Sequence, residues 1–400
     1  MPKLLQINVT ANWGSTGKIA EDIGKVALAN RWESYIAYGR DTRSCSTSKL
    51  ITIGNKWNTY NHLLHTRVFD RHGLASIKAT KDFIEKVKQI DPDIVHIHNI
   101  HGYFINYEIL FEYLATASKP VVWTLHDCWP FTGHCAYFDM VNCDGWKSGC
   151  IDCRHKNVYP AANIFCNSAD NYKRKNVAFT SVKNMTFVPV SDWLLNILGE
   201  TSLCKYPRMT IHNGIDTKVF RPTKENYENN GKFSIIGVAS AWTERKGLKD
   251  FVKLRELLPK EYDIMLIGLN KVQIKNLPSD IKGIARTNSL SELIEYYSNA
   301  DVFVNPTYED NFPTTNIEAL ACGTPVITYN TGGSIEAVDV NTGRIVEQGD
   351  INGLASCIVE LCTDSNKSNT RKKCRERAVA LYDKDDRFME YLNLYNTLIK

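Results

Sequence analysis

The sequence predicts an α/β protein built from two doubly wound domains, on three observations. Its 400 residues are more than one ordinary core holds, so two domains of about 150 to 200 residues each are expected. Short apolar strands alternate with amphipathic helical stretches and glycine-bearing turns along most of the chain, the pattern of β-α-β units around a parallel sheet. That alternation breaks once, at the polar stretch "FRPTKENYENNGK" (residues 220–232), and then restarts.

In the first domain "KLLQINV" reads as a strand, "TANWGSTG" as a turn and "KIAEDIGKVALANR" as a helix. The strands "ESYIAYG", "DIVHIHN" and the buried "PVVWTLHD" follow, the last with polar residues gathered at its carboxyl end. "MTFVPVSDWLLNIL" gives a strand and a helix, and "MTIHNGID" is expected to be one more strand. The second domain opens on "FSIIGVASA" and repeats the plan through "TERKGLKDFVKLRELL", "YDIMLIG", "SELIEYYSNA", "DVFVNP", "TPVITYN", "GSIEAV" and "GRIVEQ", closing with helices near 352–363 and 368–400. The expected boundaries are 1–221, 222–385 and a last helix, 386–400, that packs back on the first domain. In such sheets ligands bind beyond the carboxyl ends of the strands, so a central cleft faced by both domains is expected to hold the site.

Composition narrows the class. With 43% apolar and 23% charged residues the chain is globular, not disordered. No apolar run reaches the ~18 to 20 residues of a spanning helix. The start, "MPKLLQINVTANWG", lacks a signal peptide's apolar core and cleavage site, so a cytoplasmic protein is expected. Residues 1–221 carry 26 Lys and Arg against 19 Asp and Glu, and the remainder 22 against 25. The basic first half fits peripheral contact with an anionic inner leaflet. Its charges are scattered, which argues against a nucleic-acid partner.

Twelve cysteines are many for a chain of this kind. Cys45, Cys128, Cys166, Cys204, Cys322, Cys357, Cys362 and Cys374 read as small buried hydrophobes. Cys135, Cys143, Cys150 and Cys153 cluster in an insertion at about 128–160 that interrupts the alternation, and Cys150-x2-Cys153 forms a knuckle. Four thiolates suit a tetrahedral structural zinc that would staple a segment poor in apolar residues. Reduced thiols and an iron–sulfur cluster stay open as alternatives.

The chemistry concentrates in "YEDNFPTTNIEALACGTPVITYNTGG" (308–333), where Asp310 and Glu318 flank the start of a short helix opened by Pro313. Free N–H groups around Thr314, Thr315 and Asn316, with the helix dipole, make an anion site, and Glu318 reaches sideways to accept hydrogen bonds from sugar hydroxyls. Together these describe a nucleotide diphosphate lying along the helix start. The plainer reading is that both acids merely favour the dipole. In "ASAWTERKGLKDF", Arg245 and Lys246 end a loop at the sheet edge, where paired cations would hold a diphosphate and stabilise it as a leaving group. "NWGSTGK" (12–18) is not a phosphate loop, because Asn12 stands where glycine and Ile19 where Ser or Thr is required. It remains a turn whose backbone, at Gly14 and Gly17, can approach a ligand. His98 and Asn99, and His126 and Asp127, end parallel strands and face the same edge.

These segments, with "VPVSDWL", "IHNGIDTKVFRP" and "TGRIVEQGD", resemble the retaining glycosyltransferases of the two-domain GT-B class, family 4, over nearly the whole chain. The resemblance implies a GT-B fold of two Rossmann-like domains and a hexosyltransferase-type enzyme. It implies transfer of a sugar from a UDP- or GDP-linked donor to an acceptor hydroxyl. Glu318 matches the acid that contacts the ribose, Asp310 the one that holds the donor sugar, Lys246 the diphosphate lysine, and His126 a histidine near the donor sugar. The glycine turn matches a loop beside diphosphate and acceptor. His98, Asn99 and Asp127 stand as acceptor contacts. Two positions depart from the family pattern: Asp310 stands where glutamate is usual, with Glu309 as a neighbouring substitute, and Ala241 where arginine is frequent, with Arg245 supplying the charge. Such enzymes typically build bacterial surface polysaccharides on lipid-linked or oligosaccharide acceptors. The cations replace a catalytic metal, so none is expected. An epimerase or phosphorylase on the same plan, or a non-catalytic sugar-nucleotide-binding protein, stays open beside this reading.

Overall fold

The computed structural model describes residues 1–42, 45–151, 153, 155–223 and 231–400. The middle of the expected linker, 224–230, lies outside the described residues. The chain divides into two compact units, Met1–His212 with Asp385–Lys400, and Asn213–Lys384.

The first unit is a six-stranded parallel sheet of β1 (Lys3–Asn8), β2 (Glu33–Tyr38), β3 (Lys49–Thr52), β4 (Ile94–Ile97), β5 (Val121–Leu125) and β6 (Met185–Pro189), in the order β3-β2-β1-β4-β5-β6. The inner strands are apolar at nearly every position because helices cover both faces. The pleat sends Leu5 and Ile7 to one core, with Phe104, Phe111, Trp123 and Phe179. It sends Leu4 to another, with Ile19, Ile23, Ile94 and Val122. This second core is completed from the far end of the chain. The helix Lys384–Leu398 inserts Phe388, Tyr391, Leu392 and Tyr395, one stripe at helical spacing.

The second unit repeats the topology with β7 (Phe233–Val238), β8 (Tyr262–Ile267), β9 (Ile281–Ile284), β10 (Val302–Asn305), β11 (Val326–Tyr329) and β12 (Gly343–Val346), ordered β12-β11-β10-β7-β8-β9 and parallel throughout. Residues 213–221, expected in the first domain, group with the second unit. Ile215 N–H donates to Tyr382 O (2.9 Å), and Arg375 donates to Thr217 O (2.8 Å) and Phe220 O (2.7 Å). "MTIHNGID" forms no strand. It touches neighbours through single bridges, Phe187 to Arg208 and Ile215 to Asp383 at its two ends. Among the described residues no helix is long and apolar enough to cross a membrane.

In both sheets the order of connection reverses once, between β1 and β4 and between β7 and β10. The carboxyl edge at such a reversal is where α/β sheets bind ligands.

Candidate functional site

The second unit's switch point is zipped by its own backbone. After β7 the chain makes a single helical turn, Glu244–Lys246, and passes Gly247 at φ +70°, where a Cβ would stand 2.2 Å from Pro306 O. Only glycine lets the two loops approach this closely. Tyr308 N–H donates to Arg245 O (2.7 Å), Thr307 Oγ1 donates to the same oxygen (3.2 Å), and the Arg245 guanidinium donates to Glu309 O (2.8 Å). This brings the Lys246 ammonium onto the Asp310 carboxylate as an ion pair. Asp310 is also held from behind: its carbonyl accepts from Gly333 N–H (3.2 Å), and a Cβ on Gly332 would stand 2.0 Å from it. The neighbouring Glu309 is buried.

The helix Thr314–Ala321 starts beside the pair, with Pro313 at its cap and no acidic residue in its first turn. The two acids therefore do not serve the helix dipole, and Thr314 and Thr315 offer a half-buried amide end to an anion. Asn316 departs from expectation. Its side chain is fully buried, accepting from Asn305 Nδ2 (2.8 Å) and donating to Ser334 O (3.0 Å), while its N–H donates to Pro313 O (3.1 Å). It fastens β10 and the Gly332–Ala337 turn to the helix instead of facing a ligand. Glu318, half-buried one turn further on, accepts from the phenol of Tyr297 at Oε2 (3.2 Å). Burial and the Glu318 charge hold that phenol well above its ordinary pKa, so it stays a donor. Sequence reasoning missed Tyr297, which lies on a separate helix, Leu290–Asn299, and carries no local signal.

In the first unit the switch-point loops converge in the same way. Asn8 Nδ2 donates to Thr10 O (2.9 Å), and Asn8 Oδ1 accepts from Asn99 N–H (3.2 Å), tying the ends of β1 and β4. The helix Gly14–Ala29 begins without a side-chain cap or an acid in its first turn. Gly14 faces open space, whereas Gly17 is packed, with a Cβ there 2.7 Å from Thr10 Oγ1.

Behind this edge runs a histidine chain whose hydrogens can be assigned. Gln6 Nε2 donates to Ala20 O (2.7 Å), so Gln6 Oε1 accepts from His98 Nε2 (3.1 Å). His98 Nδ1 then accepts from His126 Nε2–H (3.1 Å). Both rings are held neutral by burial, His98 well below its ordinary pKa and His126 lowered to about 4. His98 is buried with both nitrogens used within the unit, so it positions His126 and does not meet acceptor. Asp127 is corrected likewise. Its Oδ1 accepts from Trp129 N–H (3.0 Å) and its Oδ2 pairs with His101 Nε2 (2.6 Å). Burial alone would raise its pKa, but His101 and the Trp129 amide hold it below the ordinary value. His126 and Asn99 keep partial exposure at the edge.

Among the cysteines, Cys135 and Cys150 are buried and Cys143 and Cys153 half-buried, and no disulfide joins the described residues. Cys45, Cys166 and Cys204, expected inside, are exposed.

Residues 232–364 match the family model for glycosyl transferases group 1. A putative colanic acid biosynthesis glycosyl transferase of Escherichia coli K12 is 24% identical over 99% of this chain and 100% of its own length. The capsular polysaccharide biosynthesis glycosyltransferase CapM of Staphylococcus aureus is 27% identical over 53% of this chain and 62% of its own. Among solved structures, sucrose-phosphate synthase of Thermosynechococcus elongatus superposes with a TM-score of 0.72 at 16% identity, over 100% of this chain and 99% of that one. HepE of Anabaena in complex with UDP gives 0.68 at 14% identity, over the full length of both. Topology, relatives along the whole length and the match of residues 232–364 to group 1 glycosyl transferases agree on a glycosyltransferase with the GT-B fold.

Proposed function

We propose that this glycosyltransferase moves a sugar from a nucleoside-diphosphate donor to an acceptor hydroxyl, with retention at the anomeric carbon, in the assembly of a bacterial surface polysaccharide. The observation that carries the reading is the Lys246–Asp310 pair at the switch point, beside a helix start free of acids. As the bond to the sugar breaks, charge builds on the leaving diphosphate. Lys246, Arg245 and the amides of Thr314 and Thr315 oppose it, doing the work a divalent cation does in other transferases. Glu318, oriented by Tyr297, takes the ribose hydroxyls. Asp310, once its lysine turns to phosphate, faces the donor sugar. In the first unit His126, in the tautomer set by His98, serves the donor sugar, and Gly14 and Asn99 line the approach.

The donor class is supported by structural neighbours solved with UDP and UDP-glucose, and a relative from Corynebacterium glutamicum is named as GDP-mannose-dependent. A lipid-linked acceptor is supported by a Campylobacter jejuni relative named for a diphospho-undecaprenol substrate. The excess of basic residues in the first half favours peripheral contact with an anionic leaflet from the cytoplasmic side.

The test is release of UDP or GDP from a panel of nucleotide sugars, with and without undecaprenyl-diphosphate-linked sugars. Acceptor-dependent release, with the product's anomeric configuration matching the donor's by NMR, is the expected result. Turnover of the donor sugar without acceptor would mark an epimerase, and binding without turnover a non-catalytic protein. Flotation with liposomes that shows no dependence on anionic lipid would remove the membrane contact.

A further inference from the structure

Between Gly133 and Ser168 lie five sulfurs that sugar transfer does not use: Cys135, Cys143, Cys150, Cys153 and Cys166. Two of them fold against one turn: Cys150 N–H donates to Gly145 O (2.7 Å), and a Cβ on Gly145 would stand 3.4 Å from Cys143 Sγ and 3.9 Å from Cys150 Cα. All five lie outside any helix or strand, in a segment that has little regular structure of its own.

Backbone amides point at two of the sulfurs: Gly133 N–H donates to Cys150 Sγ (3.0 Å), and the His155 amide donates to Cys153, two residues behind it. Amides aimed at sulfur in this way hold and orient metal-bound thiolates. The root of the segment is itself fixed, because buried Lys175 donates to Trp129 O (2.8 Å) and Thr132 O (3.1 Å) just before it and lies 3.6 Å from the centre of the Trp129 ring.

We propose that Cys135, Cys143, Cys150 and Cys153 bind one zinc ion as thiolates, with the Gly133 and His155 amides orienting the sulfurs of Cys150 and Cys153. An all-sulfur set selects zinc or iron–sulfur, and four protein ligands close the site as in structural zinc. Cys166 is left out. It is exposed, and its thiol is turned to Cys153 O (3.9 Å) and Ser168 Oγ (3.4 Å). With Cys153 and Lys156 it lines a surface depression that gives the ion a way in. Among the described residues no three of these sulfurs lie within 4.8 Å of one another. Zinc–sulfur bonds of about 2.3 Å therefore draw the turns inward, and capture orders the loop. The loop is worth ordering. Tyr159 OH meets His101 Nδ1 (3.0 Å) behind the His101–Asp127 pair, and His134 Nδ1 pairs with buried Asp70 (2.6 Å). The metal thus fastens the segment that backs the end of β5.

The test is metal content of tag-free protein, grown with zinc and purified without chelator. One zinc per chain is expected, without acid-labile sulfide. Cys150→Ser and Cys153→Ser should lose it, while Cys204→Ser and Cys166→Ser keep it. Should the serine variants precipitate, the wild type still decides. Cobalt(II) in place of zinc should give the strong visible bands of a tetrahedral sulfur site, and chelation should expose four further thiols to a thiol reagent. Metal-free protein with all these thiols reactive at once overturns the proposal, as does iron with matching sulfide. Loss of zinc in Cys166→Ser with retention in Cys143→Ser overturns the ligand set. None of these readouts depends on sugar transfer, so the site and the proposed reaction stand or fall separately.

Discussion

Lys246 and Asp310 meet across the switch point of the second sheet, ammonium on carboxylate, with side chains only 18% and 16% exposed. If Lys246 binds the donor's diphosphate as proposed, that diphosphate must displace the Asp310 carboxylate from it. Lys246→Ala should therefore lower kcat about 10²- to 10³-fold, the cost of losing a group that meets charge in the transition state. Asp310→Asn should split the two functions. Removing the competing carboxylate should tighten UDP or GDP binding about fivefold, the equivalent of a ~1 kcal/mol pair, while kcat falls. Isothermal titration beside steady-state kinetics reads both, and nucleotide affinity that drops together with kcat in Asp310→Asn would refute the competition.

In the same unit the Tyr297 hydroxyl donates to Glu318, at 3.2 Å. A donor to a charged acceptor in a half-buried place contributes roughly 1.5 to 3 kcal/mol. If Glu318 grips the ribose and Tyr297 only orients it, Tyr297→Phe should raise the donor KM several-fold with kcat little changed, and Glu318→Gln should raise it more. The double variant should then be no worse than Glu318→Gln. Additive losses in the double variant would show that Tyr297 acts by another route.

Much of this architecture is legible in the chain and some is hidden, for physical reasons. The central strands announce themselves because burial on both faces demands unbroken apolar runs, as in "VVWTL". The edge strands β3 ("KLIT") and β9 ("IKGI") do not, since they are short and mostly uncovered. "MTIHNGID" misleads in the opposite direction: Met209 N–H donates to Phe187 O and Ile211 N–H to Pro189 O (both 3.2 Å), but β6 ends at Pro189 and the pairing goes no further. At the site, Arg245 and Lys246 are readable because cations just before a helix oppose its dipole and need a reason. Asn316 looks equally suitable until Asn305 and Ser334, brought in from neighbouring segments, take up its amide. Tyr297 and Lys175 acquire their meaning only from residues distant in sequence, which no local pattern encodes.

Gly332 is predicted to be irreplaceable. It sits at φ +50°, and a Cβ there would stand 2.0 Å from Asp310 O, against backbone that has no flexible end to yield. Gly332→Ala should cost roughly 1 to 3 kcal/mol from the backbone conformation alone. Relief of the clash must come by pushing the Asp310 loop away from Lys246. The expected result is a lowered melting temperature together with weaker nucleotide binding. A stable variant with unchanged affinity would mean that this turn does not hold Asp310 in place.

All ten histidines lie in the first unit and none in the second, which predicts different responses to acid. Burial lowers His62 to about 3 and His126 to about 4, and pushes His72, His96 and His98 well below the ordinary value. Several are neutral by hydrogen bonding as well: His62 Nε2 accepts from Gly73 N–H (3.0 Å), and His96 Nδ1 faces the hydroxyl of Tyr395 (2.6 Å). Below about pH 6.5 the unfolded chain takes up protons on these side chains while the folded unit does not. Their contribution is thus fully present above that pH and shrinks as pH falls toward about 4, by up to ~1.4 kcal/mol per histidine per pH unit. Amide exchange followed separately in the two units at pH 7 and pH 5 should show protection falling sharply in the first, after correction for the intrinsic rate. The second unit has no such group and should change little. Equal loss in both, or an unchanged first unit, would show that these rings do not stay neutral inside the fold.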